Sequence, residues 1–373
     1  MASLRKLPCL SVSPFFQKLF VCWLPAWRMK RPVPWPWNPT CSARHPFGRF
    51  HKRALRTVLT LIPHPRPMKI AHLSDLHFGA IEPEAPAALR EALLQAAPEL
   101  VVVSGDLSQT GTSAELREAR AFLDSIPIPQ LIVPGNHDMP RGWRLWDRFR
   151  RPWHHYRKIV SEDLEPVLTR PDLLVIGTNS ARSAGWNADW SQGRISHPQL
   201  DRIRQACVST PATALRVLVI HHPPAGPETG THRALLGRRQ HFFEAISHAG
   251  IDLVLSGHFH TSYAIPVALP GADPRNCVLS VTSTATSHRR KGEPNGFHLI
   301  EGGASALKIT RWQVGPTGLQ PAHAWHFQAT APRRHWSAAS ANETGPSTLA
   351  LQLNSLQFND ILGESLKARA RYI

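Results

Sequence analysis

Leu100-Val101-Val102-Val103 is apolar without a break and ends in Ser104-Gly105-Asp106. A strand with one wet face alternates polar and apolar residues. An unbroken run of this kind is buried on both faces and needs helices to cover it. Strand-like, largely apolar runs recur at Met68–Ser74, Gln130–Val133, Leu173–Gly177, Arg216–Ile220 and Leu253–Ser256. Helical spacing fills the intervals. Ala85–Ala97 carries Leu89, Leu93 and Leu94 on one face and stops at Pro98; Thr112–Ser125 offers Ser113 as a cap; Pro198–Cys207 and Arg239–Ala249 follow. Alternating strands and helices predict a mainly parallel, helix-covered α/β sheet. From about Thr261 the pattern shifts to short strands, Tyr263–Leu269, Cys277–Thr282, Phe297–Ile300 and Leu307–Val314, between Gly, Pro and Asn turns. These predict a meandering second sheet packed on the first.

Five strand ends carry polar residues that apolar packing would not select: Asp75-x-His77, Gly105-Asp106, Gly135-Asn136-His137-Asp138, His221-His222-Pro223-Pro224 and Gly257-His258-Phe259-His260. Open α/β sheets bind ligands at the carboxyl ends of their strands. On extended backbone Asp75 and His77, two residues apart, aim at one point. A carboxylate and an imidazole aimed together outline a divalent-metal site. Glycine before three of the clusters lets the backbone turn sharply or approach a ligand closely.

These five blocks, in this order, resemble the calcineurin-like metallophosphoesterase superfamily, nearest to bacterial cyclic-nucleotide and glycerophosphodiester phosphodiesterases. The resemblance spans Met68 to about Trp312. It implies a four-layer α/β/β/α sandwich and two metal ions about 3.5–4 Å apart. It implies that Asp75, His77 and His260 hold one metal, that Asn136, His221 and His258 hold the other, and that Asp106 bridges them. A nitrogen and oxygen donor set without thiolate suits Mn, Fe, Zn or Co better than Mg or Ca. The implied reaction is hydrolysis of a phosphodiester or phosphomonoester by metal-bound hydroxide. His137 would face the phosphate, to protonate the leaving oxygen or stabilise the transition state, and Asp138 would orient His137. Between the adjacent histidines, the family's His-x-Pro pattern selects His221 as ligand; His222 either supports the ligands or faces substrate. His72 reads as a core or edge residue. Asn179 and Ser180 either touch substrate or turn the chain.

Arg141–Lys158 is rich in Arg and Trp and follows the Asn-His-Asp block. One reading is a cationic, aromatic cap that recruits a phosphoester or a nucleic-acid strand. The other is an amphipathic helix with Trp146, Phe149 and Trp153 packed inward and the arginines solvated.

The net charge of +17 also invites a nucleic-acid partner. Residues 1–67, however, hold 12 of the 43 Lys and Arg, none of the 26 Asp and Glu, and 11 of the 34 prolines. The rest of the chain has an excess of only five positive charges. The expectation is an unstructured or misassigned extension over 1–67, a phosphoesterase domain over 68–328 and a loose tail over 329–373, with some helical periodicity in Leu351–Lys367. Phe15–Trp27 contains Lys18 and Pro25 and is too short to span a bilayer. Cys9, Cys22 and Cys41 fall in the extension. Cys207 and Cys277 form no Cys-x-x-Cys pair, which fits a reducing, cytoplasmic setting. The expected function is a phosphoesterase acting on a small phosphoester. A nuclease on single strands and a non-catalytic, metal-stabilised binding protein are the rivals. The sequence is silent on oligomeric state.

Overall fold

A computed structural model describes residues 68–141, 145–183, 192–226, 235–271, 275–316, 318–331 and 334–339. The expectations for residues 1–67 and for Leu351–Lys367 lie outside these residues. The strands are β1 (Met68–Leu73), β2 (Leu100–Val103), β3 (Gln130–Ile132), β4 (Val167–Thr169), β5 (Leu173–Gly177), β6 (Leu215–Val219), β7 (Leu253–Ser256), β8 (Tyr263–Leu269), β9 (Arg275–Val281), β10 (Gly296–Gly302), β11 (Ala306–Gly315), β12 (Gly318–Thr330) and β13 (His335–Ala338). The helices are α1 (Ala85–Ala96), α2 (Ser113–Asp124), α3 (Leu145–Arg150), α4 (His154–Ile159), α5 (His197–Val208) and α6 (Arg239–Ala249).

The strands form two mixed sheets. One runs β13-β12-β11-β10-β1-β2-β3 and the other β4-β5-β6-β7-β9-β8. In the first, β1, β2 and β3 are parallel; in the second, β5, β6, β7 and β9 are parallel. The inner faces share one apolar core, with Ile70, Val102 and Leu131 against Val175, Val217 and Leu255. Leu89 and Leu93 of α1 and Leu116 and Leu123 of α2 cover the outer face of the first sheet. Leu200 and Ile203 of α5 and Phe242 and Ile246 of α6 cover the second. The result is the four-layer α/β/β/α arrangement, with each fully buried Leu, Ile or Phe side chain contributing about 1.5–3 kcal/mol.

The late strands do not form a sheet of their own. β10 pairs antiparallel with β1, and β9 pairs parallel with β7, so the two inherited edges are extended instead. Alternation along a strand marks its faces and says nothing about its partner, which is why the sequence reading merged them. The cap of α2 is Thr112 and not Ser113: its side chain accepts from Glu115 N, and the Glu115 carboxylate accepts from Thr112 N. Ser113 instead pairs with His155 Nδ1 at 2.6 Å, tying α2 to α4. β13 lies within the segment read as a loose tail, yet Trp336 on it is fully buried against the inter-sheet core.

Candidate active site

The carboxyl ends of β1, β2, β3, β6 and β7 converge on one cluster. Asp75, His77, Asp106, Asn136, His221 and His260 are all buried there. The backbone reaches it differently from the expected extended geometry. β1 ends at Leu73 and β7 at Ser256; beyond them Asp75, His77, His258 and His260 take left-handed φ of 54°, 51°, 71° and 59°. Asp106 does the same at 53°. Such residues cost on the order of 1–3 kcal/mol each and persist where their surroundings overdetermine them. Here the loops after β1 and β2 are stitched together: Asp75 N donates to Gly105 O at 3.1 Å, His77 N to Asp106 O at 3.0 Å and Phe78 N to Leu107 O at 2.8 Å.

Two of the flanking glycines are required by close approach. A Cβ on Gly135 would strike the Asp106 carboxylate, and one on Gly257 would strike Ser74 Oγ and Asp75 Oδ2.

The donor atoms fall into adjoining groups. His77 Nε2 lies 3.2 Å from His260 Nε2 and 3.5 Å from Asp75 Oδ1, and His260 Nε2 lies 3.2 Å from Asp75 Oδ1. His221 Nε2 lies 3.2 Å from His258 Nδ1 and 3.2 Å from Asp106 Oδ2. That same Oδ2 is 3.9 Å from His77 Nε2, so Asp106 stands between the groups. Atoms bound at about 2.0–2.2 Å to one cation are about 3–3.5 Å apart, the spacing seen here. The side-chain Oδ1 of Asn136 is buried without a hydrogen-bond partner, as a cation ligand would be. The residues present therefore fit cations held by nitrogen and oxygen donors.

Main-chain contacts set the tautomers. His221 Nδ1 donates to Ser104 O at 2.8 Å, His260 Nδ1 to Arg289 O at 2.8 Å and His137 Nδ1 to Gln109 O at 2.7 Å, which leaves each Nε2 facing the cluster. His137 N and His258 N donate to Asp106 Oδ1 and Asp75 Oδ2, aiming both carboxylates.

Burial alone would raise Asp75 and Asp106, but surrounding histidines overcome it, His260 for Asp75 and His221 for Asp106, and hold both carboxyls well below their ordinary range. Burial opposes the charge on His221, yet Asp106 prevails and pushes it up to about 9. Burial pulls His258 down to about 3 and His137 down to about 4. Asp106 thus favours a proton on His221, at the nitrogen a cation would take.

Asp138 does not touch the His137 ring. Its oxygens accept from Ser108 N at 2.9 Å, Ser108 Oγ at 3.0 Å and Gly135 N at 2.8 Å, so it shapes the loop carrying Asn136 and His137. Burial, joined by Asp106, pushes its carboxyl up to about 7. His222 lies beside the second group, its ring 4.6 Å from that of His258, and pairs with Ser180 Oγ at 2.8 Å. Asn179 turns the chain, accepting from Ala181 N at 3.0 Å. His72 is buried and bonds Ser104 Oγ at 2.9 Å.

Within 141–158 the sequence reading is partly inverted. Trp146 is 69% and Phe149 46% exposed, whereas Arg148 is buried and donates to Ser183 O and Arg182 O at 3.1 and 3.2 Å. Buried main-chain carbonyls without partners demand a donor, and a guanidinium satisfies several at once. Trp153 does pack inward. Gln109, Ser108 and Arg289 escaped the sequence reading because no motif spacing marks them.

Residues 68–262 match the family model described as calcineurin-like phosphoesterase. The chain is 28% identical over 207 residues to a probable cyclic nucleotide phosphodiesterase of Synechococcus sp., covering 52% of this chain and 74% of that one. It is 24% identical over 281 residues to a 3′,5′-cyclic-nucleotide phosphodiesterase of Nostoc sp., covering 68% and 94%. Among solved structures, a purple acid phosphatase from yellow lupin seeds shares the fold, with a TM-score of 0.56 at 12% identity over 76% of this chain and 57% of that one. A family match across more than half of the chain, falling on the five converging loops, makes this protein a member of the calcineurin-like phosphoesterase family and a metal-dependent phosphoric ester hydrolase.

Proposed function

We propose that the protein is a dinuclear phosphodiesterase acting on a small phosphoester of the cyclic-nucleotide or glycerophosphodiester class. The observation that carries this is Asp106, shared between two groups of buried donors in which His221 and His260 are each held by a main-chain carbonyl. Asp75, His77 and His260 would hold one ion, and Asn136, His221 and His258 the other, with Asp106 between them. Mn, Fe, Zn or Co suits this set, and such ions acidify water, orient the phosphate and offset its charge. In hydrolysis the oxygen of water bonds to phosphorus, the ester P–O bond breaks and a proton ends on the leaving oxygen. His137 is the catalytic side chain, its Nε2 facing the phosphoryl group from a ring fixed by Gln109 O. Asp138 is a positioning residue. A reducing, cytoplasmic setting is part of the proposal and rests on the buried free thiols of Cys207 and Cys277. Among the described residues no helix is long and apolar enough to cross a membrane.

The test is turnover of bis-p-nitrophenyl phosphate by Mn-loaded protein. Asp106→Asn and Asn136→Ala should lose metal and activity together. His137→Ala should keep its metal and lose about 100-fold or more in kcat. Loaded wild-type protein that hydrolyses no phosphoester would end this reading.

A second reading, action on single-stranded nucleic acid, draws on the exposed Trp146 with the Arg150 guanidinium 5.6 Å from its ring. A salt-dependent oligonucleotide affinity that Trp146→Ala abolishes would favour it.

A further inference from the structure

Two arginines from distant parts of the chain meet over His137. Arg141, three residues beyond the Asn-His-Asp block, sets Nη1 2.6 Å from His137 Nε2 and 2.7 Å from Nδ1. Arg289, in the loop between β9 and β10, sets Nη1 3.3 Å from the same Nε2 and donates to Gln109 Oε1 at 3.1 Å. Both side chains are half-buried. Their neighbours are otherwise engaged: Arg290 pairs with Glu82 at 2.7 Å, and Arg148 caps main-chain carbonyls. Among the described residues, no carboxylate stands within 4 Å of Arg141 or Arg289. The nearby negative charge is Asp106, which acts on Arg141 at longer range.

Two guanidiniums gathered on one imidazole nitrogen repel each other, and half-burial reduces the water that would screen them. Cations on Asp106 would cancel its charge and leave this corner more positive still. The arrangement calls for an anion with several acceptor oxygens, which guanidinium forks bind with both charge and geometry. A phosphomonoester carries about −1.5 to −2 charge at pH 7, against a single charge on a diester.

We propose that Arg141 and Arg289 form a clamp on the phosphoryl oxygens beside His137 that admits a doubly charged phosphomonoester alongside the diester. The clamp rests on the phosphoesterase reading but fails separately from it. Arg289 plays two roles with different atoms, since its carbonyl holds His260 and its side chain reaches His137. Side-chain substitution removes only the second.

Full-length, Mn-loaded wild type, Arg141→Gln and Arg289→Gln are compared on p-nitrophenyl phosphate and bis-p-nitrophenyl phosphate. Inorganic phosphate affinity is measured by calorimetry, and thermal unfolding and Mn content establish folding and loading. The expected result is that kcat/KM for the monoester relative to the diester falls at least about tenfold, the change lying in KM, with phosphate affinity falling in parallel. An unchanged ratio with unchanged phosphate affinity in a folded, loaded variant overturns the clamp. Should Arg289→Gln not fold, Arg141→Gln decides alone, and Arg141→Lys should restore only part of the loss because it keeps charge without the fork. Wild-type protein inactive on both esters would sink the phosphoesterase reading, while the calorimetry would still decide the clamp.

Discussion

The Trp336 indole nitrogen donates to Asp252 Oδ1 at 3.2 Å, both groups fully buried. The same carboxylate accepts from Arg216 N at 3.0 Å and pairs with Arg334 at 2.7 Å and Arg275 at 3.4 Å. One aspartate immediately before β7 therefore anchors β13 across the inter-sheet core. Asp252→Ala would leave two largely buried guanidiniums without their counter-charge, at a cost of about 3–5 kcal/mol. Trp336→Ala should cost about as much by opening a cavity. Urea unfolding of each variant checks this; a loss under about 1 kcal/mol in both would mean that β13 contributes little to the fold.

Gly257→Ala should damage the site more than the fold. The new Cβ meets Ser74 Oγ and Asp75 Oδ2, and Asp75 is a proposed ligand whose Oδ2 already accepts from His258 N. Displacing a ligand's supporting contact costs about 10–100-fold in metal affinity. Metal content after dialysis against a competing chelator is the measurement. Wild-type metal retention in this variant would contradict the steric argument.

Much of this architecture could be read from the chain because burial on both faces leaves a strong trace. The run Leu100–Val103 announces its strand, and the Asp, His and Asn that follow such runs announce the site. What stayed hidden depends on tertiary pairing. Nothing in Phe297–Ile300 reveals that β10 will pair with β1 and not with its neighbour β9. The left-handed turns at Asp75 and His77 replace the expected extended backbone because the two loops bond each other, Asp75 N to Gly105 O and His77 N to Asp106 O, a contact between separate segments of the chain. Arg289 and Gln109 lie outside every recognisable block, and Arg148 carries a charge that sequence patterning assigns to solvent.

Cys207 and Cys277 should be unreactive in the folded protein. Burial pushes their thiols up to about 11 and about 12, so at pH 8 almost no thiolate is present to attack an alkylating agent. Iodoacetamide treatment at pH 8, followed by peptide mass spectrometry, should leave both unmodified until denaturant is added. Labelling of Cys277 in the native state at the rate of a free thiol would contradict this.

Metal uptake should release protons at neutral pH. In the protein alone His221 is pushed up to about 9 by Asp106, so below that pH it carries a proton, yet only neutral Nε2 can bind a cation. Loading at pH 7.5 must therefore expel that proton, and the release should fade as pH rises through about 9. By linkage, each expelled proton makes apparent affinity climb about tenfold per pH unit below that point. His260, raised by Asp75 against the effect of burial, adds to the release in the same direction. Mn titration in weakly buffered indicator dye reads the proton count, and repeating it at pH 9.5 supplies the contrast. A count of zero at pH 7.5 would show that His221 is already neutral beside Asp106, and the charge balance drawn for the cluster would have to be redrawn.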